Sequence, residues 1–264
     1  MTSGVLCDTT RCQGCERCIA ACKRENGLGP DRPQRWQRRI DDLSATRLST
    51  IERRPNNHYV RVQCRHCLEP ACVSACLVGA MQKTPEGPVI YDQDRCMGCR
   101  YCMVACPYGI PRYDWDRAVP GIRKCSLCYP RLKRGEEPAC VSACEQGVLS
   151  FGQRDDLLRI AHDRLRANPD RYTGKVAGET EIGGTSVLLI SDIPLDFLAF
   201  KSELGDRPLP ERTYAALSKV PPLAAGVGGL MTGLWWIIGR RMKLAEAAEL
   251  ARAEAAPGDP EKKH

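Results

Sequence analysis

Apolar residues in this chain occur in short runs, separated by long polar and charged stretches. Three runs of β-branched and aromatic residues predict short strands, and we expect each strand to form one arm of a small hairpin. These runs lie at 59–62, 89–91 and 148–151. Helical spacing of apolar residues beside a charged face over 153–167 predicts an amphipathic helix. Its apolar stripe consists of Leu157, Leu158, Ile160, Ala161 and Leu165. The run TSVLLISDI that begins at Thr185 predicts a buried strand.

The last apolar run, LAAGVGGLMTGLWWIIG at 223–239, contains no charged residue. Its length is at the short end of what spans a bilayer, so we expect a transmembrane helix; the alternative is a buried helix of a soluble protein. Arg240, Arg241 and Lys243 follow it, whereas Lys219 is the one nearby cation before it. This bias favours a cytoplasmic C-terminus and an external remainder, the alternative being a location on the cytoplasmic face.

Composition leaves little for an ordinary core, because the chain has 3 Phe and 8 Tyr but 17 Cys. We therefore expect inorganic cross-links to replace part of the apolar packing. Sixteen of the cysteines fall into four quartets, and ACVSAC occurs in both the second and the fourth, which indicates duplication. The quartets are Cys12, Cys15, Cys18 and Cys22; Cys64, Cys67, Cys72 and Cys76; Cys96, Cys99, Cys102 and Cys106; and Cys125, Cys128, Cys140 and Cys144.

The spacing within the quartets favours [4Fe–4S] clusters. A tight loop with cysteines at i, i+3 and i+6 can supply three thiolates to one cubane, and in ferredoxin-like pairs the last cysteine crosses to the neighbouring cluster. Cysteines this close together fit disulfide geometry poorly. A structural zinc-repeat interaction module is the stronger rival, since C-x-x-C pairs also bind zinc, but zinc sites seldom use C-x-x-C-x-x-C followed by x-x-x-C.

The formal charge of +7 treats every cysteine as neutral. Four clusters with their thiolates would add roughly −8, so we interpret many Arg and Lys residues as counter-charges. Lys124 and His66 lie beside or inside the cysteine loops and are candidates for tuning the potentials. Cys7 has no cysteine partner, and we expect it to be a buried residue of a strand. No nucleic-acid-binding motif occurs, and we expect no nucleic-acid partner.

No catalytic triad, paired-carboxylate cleft, P-loop or dinucleotide fingerprint occurs in the sequence, so we expect no catalysis by this chain alone. No Sec or twin-arginine signal precedes Cys12. An external cluster domain would therefore be exported with a signal-bearing partner, or the true start lies upstream.

Several longer motifs carry a resemblance to a known family. They are CRHCLEPAC, CMGCRYCMVACPYGIPRYD, RKCSLC with EPACVSAC, FGQRDDLL, and GGTSVLLISDIP before the C-terminal apolar helix. From Cys12 to about Ile193 the chain resembles the four-cluster subunits of membrane-bound respiratory oxidoreductases, notably the β subunit of formate dehydrogenase and the ferredoxin-like subunit of hydrogenase-2 type enzymes.

The resemblance implies an α+β fold with two interleaved ferredoxin-like dicluster units related by a pseudo-two-fold axis, followed by one transmembrane helix. It pairs the first quartet with the fourth and the second with the third. The implied ligand sets are Cys12, Cys15, Cys18 and Cys144; Cys64, Cys67, Cys72 and Cys106; Cys96, Cys99, Cys102 and Cys76; and Cys125, Cys128, Cys140 and Cys22. The expected domains are 1–152 with a surface insertion at 25–57, a helix–strand extension at 153–220, an anchor at 221–243, and a charged tail at 244–264.

The function implied by the resemblance is electron relay through four [4Fe–4S] clusters. The catalytic partner would be a nickel–iron hydrogenase, which the motifs slightly favour, or a molybdenum/tungsten-pterin enzyme. The membrane partner would be a multi-helix quinone-binding or b-type cytochrome subunit. A soluble polyferredoxin carrier, whose last helix is merely buried, is the remaining alternative.

Overall fold

A computed structural model describes residues 2–31, 43–117, 120–199 and 204–255 of the chain. The strands are β1 Ser3–Asp8, β2 Thr50–Arg54, β3 His58–Val62, β4 Met81–Lys83, β5 Val89–Tyr91, β6 Arg112–Tyr113, β7 Ile122–Arg123, β8 Leu149–Gln153 and β9 Val187–Ile190. The helices are α1 Arg17–Glu25, α2 Ala71–Ser74, α3 Tyr101–Ala105, α4 Tyr129–Lys133, α5 Ala139–Ser142, α6 Arg154–Ala167, α7 Leu209–Leu217 and α8 Val220–Ala255. The chain forms two compact units, Met1–Arg212 and Thr213–His264.

A three-stranded sheet in the order β8-β1-β9 organises the first unit. The central strand β1 runs antiparallel to β8 and parallel to β9. Side chains alternate across a strand, so β1 serves two separate clusters of buried residues. Leu6 packs with β9 and α6, whereas Val5 and Cys7 face the side on which the cysteine loops lie. Cys7 is thus a buried strand residue, as expected.

Helix α6 confirms the predicted amphipathic helix. Leu157, Ala161 and Leu165 are buried against the sheet, but Ile160 is exposed because it lies at the edge of the stripe. Acidic residues occupy its first turn and basic residues its last turn, which complements the helix dipole. The run at 187–190 is the predicted buried strand, β9.

Three two-stranded hairpins surround the cysteine loops: β2 with β3, β4 with β5, and β6 with β7. They confirm the hairpin arms that were expected at 59–62 and 89–91. The expectation for 148–151 is wrong, because β8 pairs with β1 at the other end of the unit's sequence. A short alternating run specifies a strand but not its partner.

The expected surface insertion at 25–57 is described at 25–31 and 43–57 only. Its second half does not lie on the surface, since Leu43, Ala45 and Leu48 are buried and β2 pairs with β3. These apolar residues pack beside the hairpin but are irregularly spaced along the chain. Such spacing gives no helical or strand periodicity, so the sequence pattern did not indicate their burial.

The second unit contains the end of α7 and the long helix α8. Helix α8 includes the apolar run at 223–239 and extends beyond it in both directions. The helical stretch Leu209–Arg252 is long and apolar enough to cross a membrane, and none of its apolar window is buried. Burial inside the described protein, the alternative to a membrane helix, is therefore not observed. The end of the tail, 256–264, lies outside the described residues.

The sheet predicts a specific stability difference. Leu188 on β9 is fully buried, so Leu188→Ala removes packed methyl groups and should cost about 2–5 kcal/mol. Ile160→Ala on exposed α6 surface should cost less than about 0.5 kcal/mol. The thermal midpoint for loss of the visible absorbance of the anaerobic protein measures both. Equal midpoints for the two variants would contradict the described core.

Candidate metal centres

The first and third cysteine loops share one backbone shape. In both, a glycine after the first cysteine and a residue before the helix have positive φ: Gly14 and Glu16 before α1, Gly98 and Arg100 before α3. Two left-handed residues in a short stretch turn the chain tightly, so three thiols of one loop can face the same interior space.

Tyrosine side chains lie close to both glycines. A Cβ atom at Gly14 would lie 2.6 Å from the ring of Tyr59, and one at Gly98 would lie 2.9 Å from the hydroxyl of Tyr113. Each loop is therefore backed by an aromatic residue from a neighbouring hairpin, and only glycine fits.

The Cys12 group consists of Cys12, Cys15, Cys18 and Cys144. These four residues line one cavity of about 80 Å³ between the first loop and the end of α5. Burial raises the pKa of the Cys12 thiol, and the other three thiols of the group add to the rise. Four thiols from opposite ends of the cysteine-rich region thus interact with one another.

The Cys64 group consists of Cys64, Cys67, Cys72 and Cys106. They line a second cavity, together with Lys124. Burial raises the pKa of Cys67 well above its usual range, and the other three thiols again contribute.

The Cys76 group consists of Cys76, Cys96, Cys99 and Cys102, which line a third cavity. Burial and then the other three thiols raise the pKa of Cys102 to about 11.

The Cys22 group consists of Cys22, Cys125, Cys128 and Cys140. Burial raises the pKa of Cys128 to about 11, and Cys140 and Cys22 add to it. Cys22 and Cys140 likewise raise the pKa of Cys125. The helices agree with this arrangement, because α1 packs against α5 and α2 packs against α3.

Packing between the groups gives them an order. Cys18, Cys140 and Cys64 belong to or pack against one apolar cluster, whereas Cys72 packs with Cys76 and Cys102 in another. Within the first cluster, Cys140 raises the pKa of Cys18, and Cys64 raises the pKa of Cys125. The groups therefore follow one another as Cys12, Cys22, Cys64 and Cys76.

The donor set fits [4Fe–4S] clusters. None of the cysteines, all of which lie in the described ranges, forms a disulfide. Within those ranges no group of three or more Cys, His, Asp or Glu is placed to hold a single metal ion. A cubane presents four irons at its corners and so accepts thiolates that are spread more widely than those around one zinc ion. Burial disfavours ionisation of these thiols, and the thiolates would repel one another. They form only beside a strong positive charge, which an iron core supplies.

Comparison with known proteins also supports [4Fe–4S] clusters. Residues 56–154 match the family model described as a 4Fe–4S dicluster domain. The hydrogenase-2 operon protein HybA of Escherichia coli O157:H7 is 35% identical over 235 residues, which cover 74% of this chain and 71% of that protein. The B subunit of the anaerobic dimethyl sulfoxide reductase of Escherichia coli K12 is 37% identical over 173 residues, which cover 62% of this chain and 79% of that protein. A protein of Nitratidesulfovibrio vulgaris Hildenborough is 43% identical over 271 residues, 96% of this chain and 73% of its own length.

The chain belongs to the family of iron–sulfur electron-transfer subunits of respiratory oxidoreductases. It carries [4Fe–4S] clusters and transfers electrons; it is not a catalytic subunit. The zinc-module alternative does not fit this family.

N–H groups of this electron-transfer subunit donate hydrogen bonds to several cysteine sulfur atoms. Backbone N–H groups of Ala80 and Met81 donate to Cys76 Sγ at 3.2 and 3.4 Å. The backbone N–H groups of Gly98 and Leu127 donate to Cys96 Sγ and Cys125 Sγ at 3.4 and 3.3 Å, and the side-chain amide of Asn26 approaches Cys22 Sγ at 3.8 Å. Such hydrogen bonds stabilise negative charge on sulfur and raise the reduction potential.

The structure places Lys124 and His66, the two predicted tuning residues, in the interior of the electron-transfer subunit. Lys124 Nζ donates to the carbonyl oxygens of Val89 and Cys125. His66 Nδ1 accepts the N–H of Val89 at 2.9 Å, so the ring carries its proton on Nε2, which has no partner among the described residues. Burial, and then Lys124 and Lys83, hold the pKa of His66 well below its usual range.

Lys83 and Arg61 are among the internal cations of the subunit that sequence reasoning missed. Lys83 Nζ donates to the carbonyl oxygen of Cys67 at 2.9 Å, and burial lowers its pKa to about 8. Arg61 on β3 lines the cavity of the Cys12 group. Basic residues in strands are normally exposed, so only the charge of +7 signalled that some of them would be internal.

The loop geometry predicts a difference between two glycines. Gly14→Ala introduces both a strained φ and a contact with the Tyr59 ring, so it should lower the iron bound per chain. Gly27→Ala has a similar positive φ but meets no atom within 4 Å, so it shares only the backbone cost of about 1 kcal/mol. Iron analysis of both anaerobically purified variants measures the difference. If they retain the same iron, the close approach to Tyr59 does not matter.

Proposed function

We propose that the chain relays electrons through four [4Fe–4S] clusters, one held by each of the Cys12, Cys22, Cys64 and Cys76 groups. Each cluster, when bound, supplies a one-electron couple of low reorganisation cost. The observation that carries this proposal is the packing of the four cysteine groups one after another through the first unit, three of them around cavities of their own.

The proposed ligand sets cross between loops. Three groups take three cysteines from one loop and their fourth from the end of another, and the Cys22 group does the same with the longer spacing of its loop. The packing of α1 on α5 and of α2 on α3 supports two dicluster units, the first and fourth quartets forming one and the second and third the other. The repeated ACVSAC, which forms α2 and α5, supports a pseudo-two-fold relation between them.

The residues of the chain have three tasks in this relay. The loops fix the spacing of the thiolates, the apolar side chains around them exclude water, and buried donors and cations stabilise the added electron. Within the third task we propose that Lys124 and His66 tune the Cys64 group, since Lys124 lines its cavity and His66 lies between two of its cysteines.

Alanine substitutions test the ligand sets. Cys144→Ala and Cys15→Ala should each alter the same cluster in the electron paramagnetic resonance spectrum and remove up to about four iron atoms from about sixteen. Cys140→Ala should alter a different cluster. Cys7→Ala, a matched change of a buried cysteine outside the groups, should keep all the iron. The ligand sets are wrong if Cys144→Ala and Cys15→Ala affect different clusters, or if Cys7→Ala loses as much iron.

We propose that the chain relays electrons between a catalytic subunit and a membrane subunit. The relatives named for hydrogenase-2 and for dimethyl sulfoxide reductase support a nickel–iron hydrogenase or a molybdenum/tungsten-pterin enzyme as the catalytic partner. The membrane partner would be a multi-helix quinone-binding or b-type cytochrome subunit. The apolar part of α8, within 221–243, would anchor the chain, with 1–152 holding the clusters, 153–220 extending that domain and 244–264 forming the tail.

For the topology we propose an external cluster domain with a cytoplasmic C-terminus. The cations at Arg240, Arg241 and Lys243 support it, because positive residues are enriched on the cytoplasmic side of membrane helices.

The two ends of the relay differ in surface character. Around the Cys12 group the surface is polar, with an ion pair between Arg17 and Glu145. In the described part of the first unit, every exposed large apolar side chain except that of Ile160 lies in 77–115, beside the Cys76 group. These residues, the apolar rim, are Leu77, Val78, Met97, Tyr101, Val104 and Trp115. Permanent interfaces are more apolar than transient ones. We propose that the rim contacts the membrane subunit.

A charge in the rim tests this contact. The Val104 side chain is 86% exposed, so Val104→Glu should leave the fold and the cluster absorbance intact. In the purified complex it should cause at least about a tenfold loss of the membrane subunit, because an unpaired charge is costly in an apolar interface, while the catalytic subunit is retained. Ile160→Glu, a matched charge outside the rim, should retain both subunits. Loss of the catalytic subunit instead would place the opposite partner at this end.

A further inference from the structure

Arg61 carries a positive charge in the interior of the first unit. It is the fourth of the five residues of β3 and is 5% exposed. The guanidinium donates to Ser49 Oγ at 3.1 Å and to Gln63 Oε1, and its Nε atom is buried without a partner among the described residues. Both hydrogen-bond partners are neutral, so neither compensates the charge.

No carboxylate within the described ranges forms an ion pair with Arg61. The groups around it that can become anionic are the thiols of two different cysteine groups. Burial would lower the pKa of Arg61, but Cys140, Cys18, Cys125 and Cys22 outweigh it and raise the pKa. In return, Arg61 is the strongest influence opposing the burial that raises the pKa of Cys18 and of Cys22. The geometry agrees, because Arg61 lines the cavity of the Cys12 group, and Ser49, to which Arg61 donates, hydrogen-bonds Cys22. Arg61 therefore lies against the Cys12 group and the Cys22 group.

An uncompensated guanidinium in a protein interior is strongly unfavourable. A [4Fe–4S] core with four thiolates carries a net charge of about −2 in its oxidised form and about −3 when it has accepted an electron. Two such groups on either side would supply the anion that the structure otherwise lacks at this point. A structural role alone does not explain the arrangement, since a hydrogen-bonded neutral residue could link Ser49 and Gln63 without a buried charge.

We propose that Arg61 is a shared counter-charge of the Cys12 and Cys22 clusters, which raises the reduction potential of both and sets them apart from the other pair. The inference rests on the proposed four-cluster relay. When an electron passes between the two clusters, one is oxidised and the other reduced by one electron, and Arg61 keeps its charge, so no proton is exchanged. Arg61 is a positioning residue, because its charge acts through the potentials of the two clusters and it takes part in no chemical step.

The test uses the full chain loaded with clusters and a redox titration followed by electron paramagnetic resonance. In Arg61→Gln, two of the four clusters should become harder to reduce: at a fixed potential, their ratio of reduced to oxidised form should fall about tenfold. A unit charge in a medium of effective dielectric about 20 has at least this effect at side-chain distances. For a one-electron couple a tenfold change corresponds to about 59 mV. The other two clusters provide an internal reference and should move much less, because the interaction falls with distance.

Two further variants complete the design. Arg61→Lys keeps the charge and should hold both potentials within about threefold of the native ratio. Arg53→Gln removes a charge from the exposed part of the same hairpin and should move none of the four clusters.

The outcomes are separable from failure of the relay itself. Native protein without cubane absorbance and with far less than about sixteen iron atoms would contradict the proposed function. Native protein with full iron, combined with an Arg61→Gln variant in which no potential moves or all four move equally, would overturn only the role of Arg61. If Arg61→Gln does not bind its clusters, Arg61→Lys decides: native potentials support the counter-charge, and a fall as large as tenfold contradicts it.

Discussion

The constraint on which this structure depends is the mutual repulsion of many thiolates inside one small protein. Each group brings four sulfur atoms together, most of them on buried or half-buried residues, and burial raises the pKa of thiols in all four groups. Neighbouring thiols raise it further. Such an interior is stable only when iron neutralises the sulfur atoms, so that formation of the fold and binding of the clusters are one process.

The protein part of the structure serves this constraint in two ways. The three-stranded sheet and α6 provide a conventional apolar core away from the cysteines, which compensates for the scarcity of large aromatic residues. The other face of the sheet, with the hairpins, carries donors and cations towards the sulfur atoms. Lys83, Lys124 and Arg61 are held by carbonyl oxygens or neutral side chains rather than by carboxylates, so their charges remain available to the metal centres.

Features encoded by neighbouring residues could be predicted from the sequence. The cysteine loops, α6, β9 and the long apolar helix each depend on spacing within a single segment, and all are present. Features that depend on residues far apart in the chain could not be predicted from the sequence. Examples are the pairing of β8 with β1, the burial of Leu43 and Leu48, and the internal charge of Arg61. Each arises from contacts between distant segments, which a local sequence pattern does not encode. The exposure of Ile160 is a smaller case, since helical spacing defines a stripe but not how much of it the sheet covers.

The most direct test of the linear relay is the position of iron in an anaerobically prepared, fully loaded protein, located by anomalous X-ray scattering at the iron edge. We expect four compact iron sites in sequence, bounded in turn by the Cys12, Cys22, Cys64 and Cys76 groups. Iron sites that are fewer in number, or that follow one another in a different order, would contradict the relay.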